Sequence, residues 1–249
     1  MKQKIKAGKE VLGAFLSEIA APNLLRLMQA AGLDYVIVDC EHGYFDYSQV
    51  AAMAAIGSGV GFPVIVRIPA ISREVIQKYL DAGVDGILVP MLETKEQAEQ
   101  LIAYGKYAPE GKRGISTMRP HSNYNPGKLV EYTEKANKRT MFFAQIETKT
   151  GVGNIDGIVN VPGLDGVFIG PNDLACDLGT MGNFSTPEMK TCIDTVIAAA
   201  KKAGVPSGII TSKTEFIKEC REKGMTMFSC DSELGLLKKG IQDMRAQVR

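Results

Sequence analysis

Eight short runs dense in β-branched and aromatic residues punctuate the chain: VLGAFL at 11–16, YVIVDC at 35–40, PVIVRI at 63–68, GILVPM at 86–91, MFFAQIE at 141–147, GVFIG at 166–170, SGIIT at 207–211 and MFSC at 227–230. Most are continuously apolar rather than alternating, the pattern of strands covered on both faces. Between them, apolar positions recur at helical spacing in NLLRLMQAAG, REVIQKYLDAG, KEQAEQLIAYGK, PEMKTCIDTVIAAAKKAG and KTEFIKECREKG, several of which close on a helix-stopping glycine. Strands alternating with helices imply right-handed βαβ units and a parallel sheet. Eight such units in 249 residues predict a single (β/α)8 TIM barrel over residues 1–249, with a doubly wound open sheet as the alternative. The one long connection, residues 107–139, predicts an inserted loop that carries its own helix.

Composition narrows the function. Hydrophobic residues make up 45% of the chain, enough for a full core, and the net charge is +1. Lys and Arg are scattered rather than striped, which argues against a nucleic-acid partner and against polybasic membrane attachment. The five cysteines form no CxxC pair and their odd number leaves one unpaired, so a reducing cytoplasmic setting is expected. The opening run imitates a secretory leader until Ser17 and Glu18 interrupt it, and it reads instead as a short helix and the first strand. No run approaches the roughly 18 apolar residues of a membrane span.

A parallel barrel carries its chemistry at the carboxyl ends of its strands. Those ends supply Asp39, Glu41 and His42 after the second strand, Arg67 on the third, Gln145 and Glu147 on the fifth, Asp173 in GPND after the sixth, and Asp231 after the eighth. Glu147 and Asp173 come from neighbouring strands, and two carboxylates without a Cys or His cluster suit a hard ion such as Mg2+ or Mn2+. The bland alternative pairs Glu147 with a lysine and makes Asp173 a helix cap. Beyond Asp173, the backbone N–H groups of Leu174 and Ala175 are expected to face the mouth as a helix start and to receive an anion. Arg67, on an otherwise apolar strand, either holds an oxyanion or pairs with Asp39 or Glu41. No lysine stands at a strand end, which argues against Schiff-base catalysis, since Lys149 and Lys213 fall beyond the strands. No nucleotide-binding glycine motif follows a strand, and GVGNIDG at 151–157 lacks the spacing.

The motifs DCEHG, VRIP, YLDAGVDGILVPM, YAPEGKRG, QIET and LDGVFIGPNDLACDLG, in order from about residue 8 to 240, resemble the HpcH/HpaI family of metal-dependent class II pyruvate aldolases. That family takes in 4-hydroxy-2-oxoheptanedioate, 2-dehydro-3-deoxyglucarate and 2-keto-3-deoxy-rhamnonate aldolases. The resemblance implies reversible cleavage of a 4-hydroxy-2-oxo acid to pyruvate and an aldehyde through a metal-stabilised enolate. It implies that Glu147 and Asp173 bind a divalent ion (Mg2+, Mn2+ or Co2+) and that Gln145 lies alongside. It further implies that the amides of Leu174 and Ala175 receive the pyruvate carboxylate, that Arg67 stabilises the enolate, and that His42 is the acid/base group. It makes Asp81 the carboxylate partner of that histidine, although Asp81 ends a helix that runs antiparallel to the strands and so falls near the opposite face. Asp81 would then serve a neighbouring subunit in a homohexamer whose last helix is exchanged between partners; in a monomer Asp39 would orient His42 instead.

The chain departs from the family at GISTMRPHSNYN (114–125) and at TSKTE after the seventh strand, which leaves the acceptor aldehyde open, and with it whether His121 touches substrate. A citrate-lyase-like enzyme acting on a CoA thioester and a non-catalytic barrel scaffold are the competing readings.

Overall fold

The computed structural model describes residues 1–249 as a closed barrel of eight parallel strands in sequence order, β1 to β8. These are Val11–Leu16, Tyr35–Asp39, Val64–Arg67, Gly86–Val89, Met141–Ile146, Gly166–Ile169, Ser207–Ile210 and Met227–Ser232. Each matches one of the eight apolar runs. Closure through pairing of β1 with β8 excludes the open doubly wound sheet.

The continuous apolar character of the strands has a two-sided cause. Alternate side chains, among them Tyr35, Ile37, Ile65, Leu88, Phe143 and Phe168, fill the barrel interior. Their neighbours Val36, Val38, Val64, Val66, Ile87 and Val167 pack outward against the helices in the larger core. The helix Lys2–Lys6 sits under the barrel's amino end, with Ile5 buried against the interior set and Lys2 paired to Asp165 at 3.0 Å.

The five expected helical stretches form α2 (Leu24–Ala30), α4 (Arg73–Asp81), α5 (Lys95–Gly105), α10 (Pro187–Ala203) and α11 (Thr214–Glu222). Two long helices lie outside those readings: α3, Tyr47–Val60, and α12, Glu233–Val248. The α3 segment is built from Ala, Gly and Ser between few large residues, so its apolar stripe is faint in sequence, but the Asp46/Gln49 capping box starts it firmly. The 107–139 connection carries a short 3-10 turn at Pro120–Ser122 and the helix Leu129–Arg139.

Candidate active site

Barrel-interior positions change character two residues beyond the last apolar layer. Following the inward alternation, Ile37 gives way to Asp39, Ile65 to Arg67, Phe143 to Gln145 and Phe168 to Gly170, and on β8 the same parity ends at Asp231. These residues line one cavity of about 420 Å³ at the carboxyl ends of the strands, joined by His42 from the loop after β2 and Asp173 from the first turn of the helix after β6.

Of the two uses weighed from sequence, Arg67 shows the ion pairing, and with both carboxylates. Its Nε and Nη2 donate to Asp39 Oδ1 and Oδ2 at 2.9 and 2.7 Å, and its Nη1 lies 3.2 Å from Glu41 Oε2. Three of its five N–H donors are thus engaged, which leaves two for a ligand in the cavity. Its guanidinium carbon sits 4.7 Å from the centre of the Phe15 ring. Asp39 also accepts from the backbone N–H groups of Glu41 (3.1 Å) and His42 (3.4 Å), so it shapes the loop that presents the histidine. The His42 side chain is 72% exposed, with Nε2 3.9 Å from Glu41 Oε2.

Glu147 has no lysine partner. Its Oε1 accepts from the Met91 N–H at 2.6 Å and its Oε2 from Gln145 Nε2 at 2.6 Å, and the residue is 2% exposed. Burial pushes its pKa up to about 7, and the charges of Asp173 and Glu41 add to the rise. Met91 takes a positive φ of 49°, and its N–H points at that carboxylate. Gly170 is required beside it: a Cβ there would come within 2.1 Å of Glu147 Oε2. Gln145 Oε1 is buried and has no hydrogen-bond partner. A buried carboxylate without a cation, a second carboxylate near enough to raise its pKa, and an orphaned amide oxygen together fit a hard divalent ion. No three His, Cys, Asp or Glu side chains cluster as a metal centre, so such an ion would draw its remaining ligands from water and substrate.

Two expectations need correction or relocation. The N–H of Leu174 donates to Gly170 O at 3.1 Å inside the helix Pro171–Asp177, and Ala175 lies one residue deeper, both fully buried. The free amides of this helix start are therefore those of Asn172 and Asp173, because the helix begins at Pro171 rather than after Asp173. Asp81 lies at the end of α4 on the barrel's amino-terminal side, 2.6 Å from Arg113 Nη2 and 3.6 Å from His121 Nε2, and it makes no contact with His42. His121 is 4% exposed beside Tyr132 and the Ser116 carbonyl, in the same cluster and away from this chain's own mouth.

One position that shapes the cavity rim escaped the sequence reading. Glu233 is 4% exposed, and its carboxylate accepts from the backbone N–H groups of Ser17, Glu18 and Ile19 at 2.7–3.1 Å, which fixes the loop after β1 at the cavity rim. Its partners are backbone groups 214–216 residues away, so only the acidic residue opening α12 hinted at it.

Comparison with known proteins gives a consistent picture. A model of the HpcH/HpaI aldolase/citrate lyase family matches residues 12–239. A 5-keto-4-deoxy-D-glucarate aldolase of Klebsiella pneumoniae is 36% identical over 226 residues, 91% of this chain and 88% of that protein. The Shigella sonnei protein of the same name is 34% identical, covering 96% and 92%. The crystal structure of an HpcH/HpaI aldolase from Desulfitobacterium hafniense superposes with a TM-score of 0.95 at 30% identity, covering 100% of this chain and 96% of that one.

Proposed function

The chain belongs to the HpcH/HpaI aldolase/citrate lyase family, and from that premise we propose that this class II pyruvate aldolase cleaves a 2-keto-3-deoxy acid at the cavity lined by Arg67, Gln145 and Asp173, with the buried Glu147 hydrogen-bonded to Gln145. The observation that carries the reading is the buried, cation-free Glu147 carboxylate with Asp173 beside it.

Glu147 and Asp173 would hold Mg2+, Mn2+ or Co2+, which as a Lewis acid would polarise the 2-oxo group of the substrate. The pyruvate carboxylate would lie against the free N–H groups of Asn172 and Asp173, while the unpaired Gln145 oxygen, an acceptor, would serve the cation rather than this anion. Arg67 directs its two unused N–H groups at the oxygen that gains charge as the enolate forms, and its Asp39 fork keeps it from reorienting as that charge develops. His42 takes the proton of the C4 hydroxyl in cleavage and returns one to the nascent alkoxide in addition, with its Nε2 3.9 Å from Glu41 Oε2. The electrons of the C3–C4 bond pass to the enolate, the aldehyde leaves, and protonation at C3 gives pyruvate.

Asp81 cannot orient His42 within one chain, so its proposed role belongs to a neighbouring subunit's site in a homo-oligomer, a hexamer by resemblance.

Exchange of pyruvate methyl protons with deuterated water, followed by proton NMR, tests this without knowledge of the acceptor. Exchange should require a divalent ion and stop with chelator. Folded protein that shows none with Mg2+, Mn2+ or Co2+ would overturn the reading in favour of a thioester lyase or a scaffold.

A further inference from the structure

We propose that the acceptor half of the cavity takes an uncharged, hydroxyl-bearing aldehyde, and that Asp231 sets this preference by repelling anionic aldehydes and accepting a hydrogen bond from a substrate hydroxyl. The proposal rests on the pyruvate-aldolase reading and adds the chemistry of the second substrate.

Charge carries the first half of the argument. Five carboxylates, Asp39, Glu41, Glu147, Asp173 and Asp231, stand in or beside the mouth against one guanidinium, Arg67. A divalent ion would still leave negative charge in excess by two, and pyruvate adds one more. Arg67 is the only Lys or Arg lining the cavity; three of its N–H groups go to Asp39 and Glu41, and the two left over are those assigned to the enolate oxygen of the pyruvate half. Lys213, just after the lining residue Ser212, turns away: its Nζ donates to Gly182 O at 3.2 Å and lies 3.8 Å from the Phe184 ring centre. Nothing in the wall is therefore available to neutralise a terminal carboxylate on the aldehyde.

The wall between β7, β8 and β1 supplies the second half. Only Phe15 and Ile210 are apolar there; the rest includes the hydroxyls of Ser17, Thr211, Ser212 and Ser232. Those of Ser17 and Ser212 have no hydrogen-bond partner within the protein, so a hydrocarbon acceptor would strip them of water and return nothing. Asp231 stands among them at a φ of 66°, a left-handed conformation that Asp tolerates better than most residues. One of its oxygens accepts from the Ser232 N–H at 2.8 Å, and the other has no protein partner. Gly235 makes room for it, since a Cβ there would fall 1.8 Å from Asp231 Oδ1. The acid is thus held in place with one acceptor left over and no neutralising cation.

The test uses the full-length protein with Mn2+. Deuterium exchange into pyruvate is measured first and serves as the reference rate for each variant. Aldol addition is then followed with glyceraldehyde, propionaldehyde and succinic semialdehyde. kcat/KM for glyceraldehyde should exceed that for succinic semialdehyde by about 30-fold or more. Asp231→Asn, which tolerates the same left-handed backbone, should shrink that ratio by about tenfold, mainly through a lower KM for the anionic aldehyde. Exchange accompanied by equal use of the two aldehydes, or a ratio unmoved in Asp231→Asn, would overturn the proposal while the pyruvate half stands. Absence of exchange would instead remove the aldolase reading and this proposal with it.

Discussion

Glu147 carries a charge that the protein alone does not balance. Its pKa is lifted from 4.5 to about 7, chiefly by burial. A carboxyl raised in this way contributes stability that is fully present below the unfolded value and is lost as pH rises through the folded one. Ion-free protein should therefore weaken between about pH 4.5 and pH 8 by roughly 1–3 kcal/mol from this group. Glu147→Gln removes that charge. In chelator at about pH 8 the variant should melt a few degrees above the parent, whereas added Mn2+ should raise the parent's Tm and leave the variant's unchanged. A parent whose Tm ignores divalent ions would take Glu147 out of the metal site. Arg67 permits a similar separation of charge from geometry. Arg67→Ala leaves Asp39 and Glu41 facing each other and should cost about 3–5 kcal/mol of stability together with at least about 10²-fold in pyruvate exchange. Arg67→Lys restores the charge but not the fork, so stability should recover more than exchange does. Equal recovery of both would mean that the fork has no catalytic share.

Between strand and helix, the mouth is assembled by acids that bind backbone. Asp39 ties the loop 40–42 to Arg67, and Glu233, at the first turn of α12, gathers three N–H groups of the loop after β1. Glu233→Ala leaves those donors without their acceptor and should lower unfolding free energy by about 2–4 kcal/mol in urea, with Glu233→Gln recovering part through its single amide oxygen. A loss below about 0.5 kcal/mol would mean that water replaces the clamp. This clamp also marks the limit of what the chain displays as a string. The eight strands were legible because both of their faces are buried, and the acids at their ends because polar residues there interrupt apolar runs. Helix α3 was not, since alanine and glycine carry too little contrast between buried and exposed positions. The Glu233 clamp and the Leu174 correction share one cause, because both turn on where individual N–H groups point, and backbone donors leave no mark in side-chain identity. The Asp39–Arg67 fork was foreseen only as one of two uses for the arginine, and the structure gives that one side chain room for both.

At the scale of the whole molecule, two features point outward. No helix is long and apolar enough to cross a membrane, yet α12 leaves Leu237, Ile241, Met244 and Val248 exposed along one helical stripe. Asp81 meanwhile sits on the face opposite its own His42, against Arg113 and His121. If a second copy covers these surfaces and lends Asp81 to its neighbour's mouth, each active centre is shared between two chains. Mixing inactive variants tests that directly. His42→Ala retains Asp81 and Asp81→Ala retains His42, so when the two are refolded together in equal amounts, random assembly should restore native pairs at about a quarter of the sites. Activity should approach a quarter of the parent's, and it should vanish in a background carrying Leu237→Glu and Ile241→Glu, which breaks the apolar stripe and should reduce the particle to single chains by light scattering. No recovery in mixed assemblies that do form would assign Asp81 to its Arg113 pair alone, a brace for the 107–139 segment, and would leave Asp39 and Glu41 of the same chain as the carboxylates near His42.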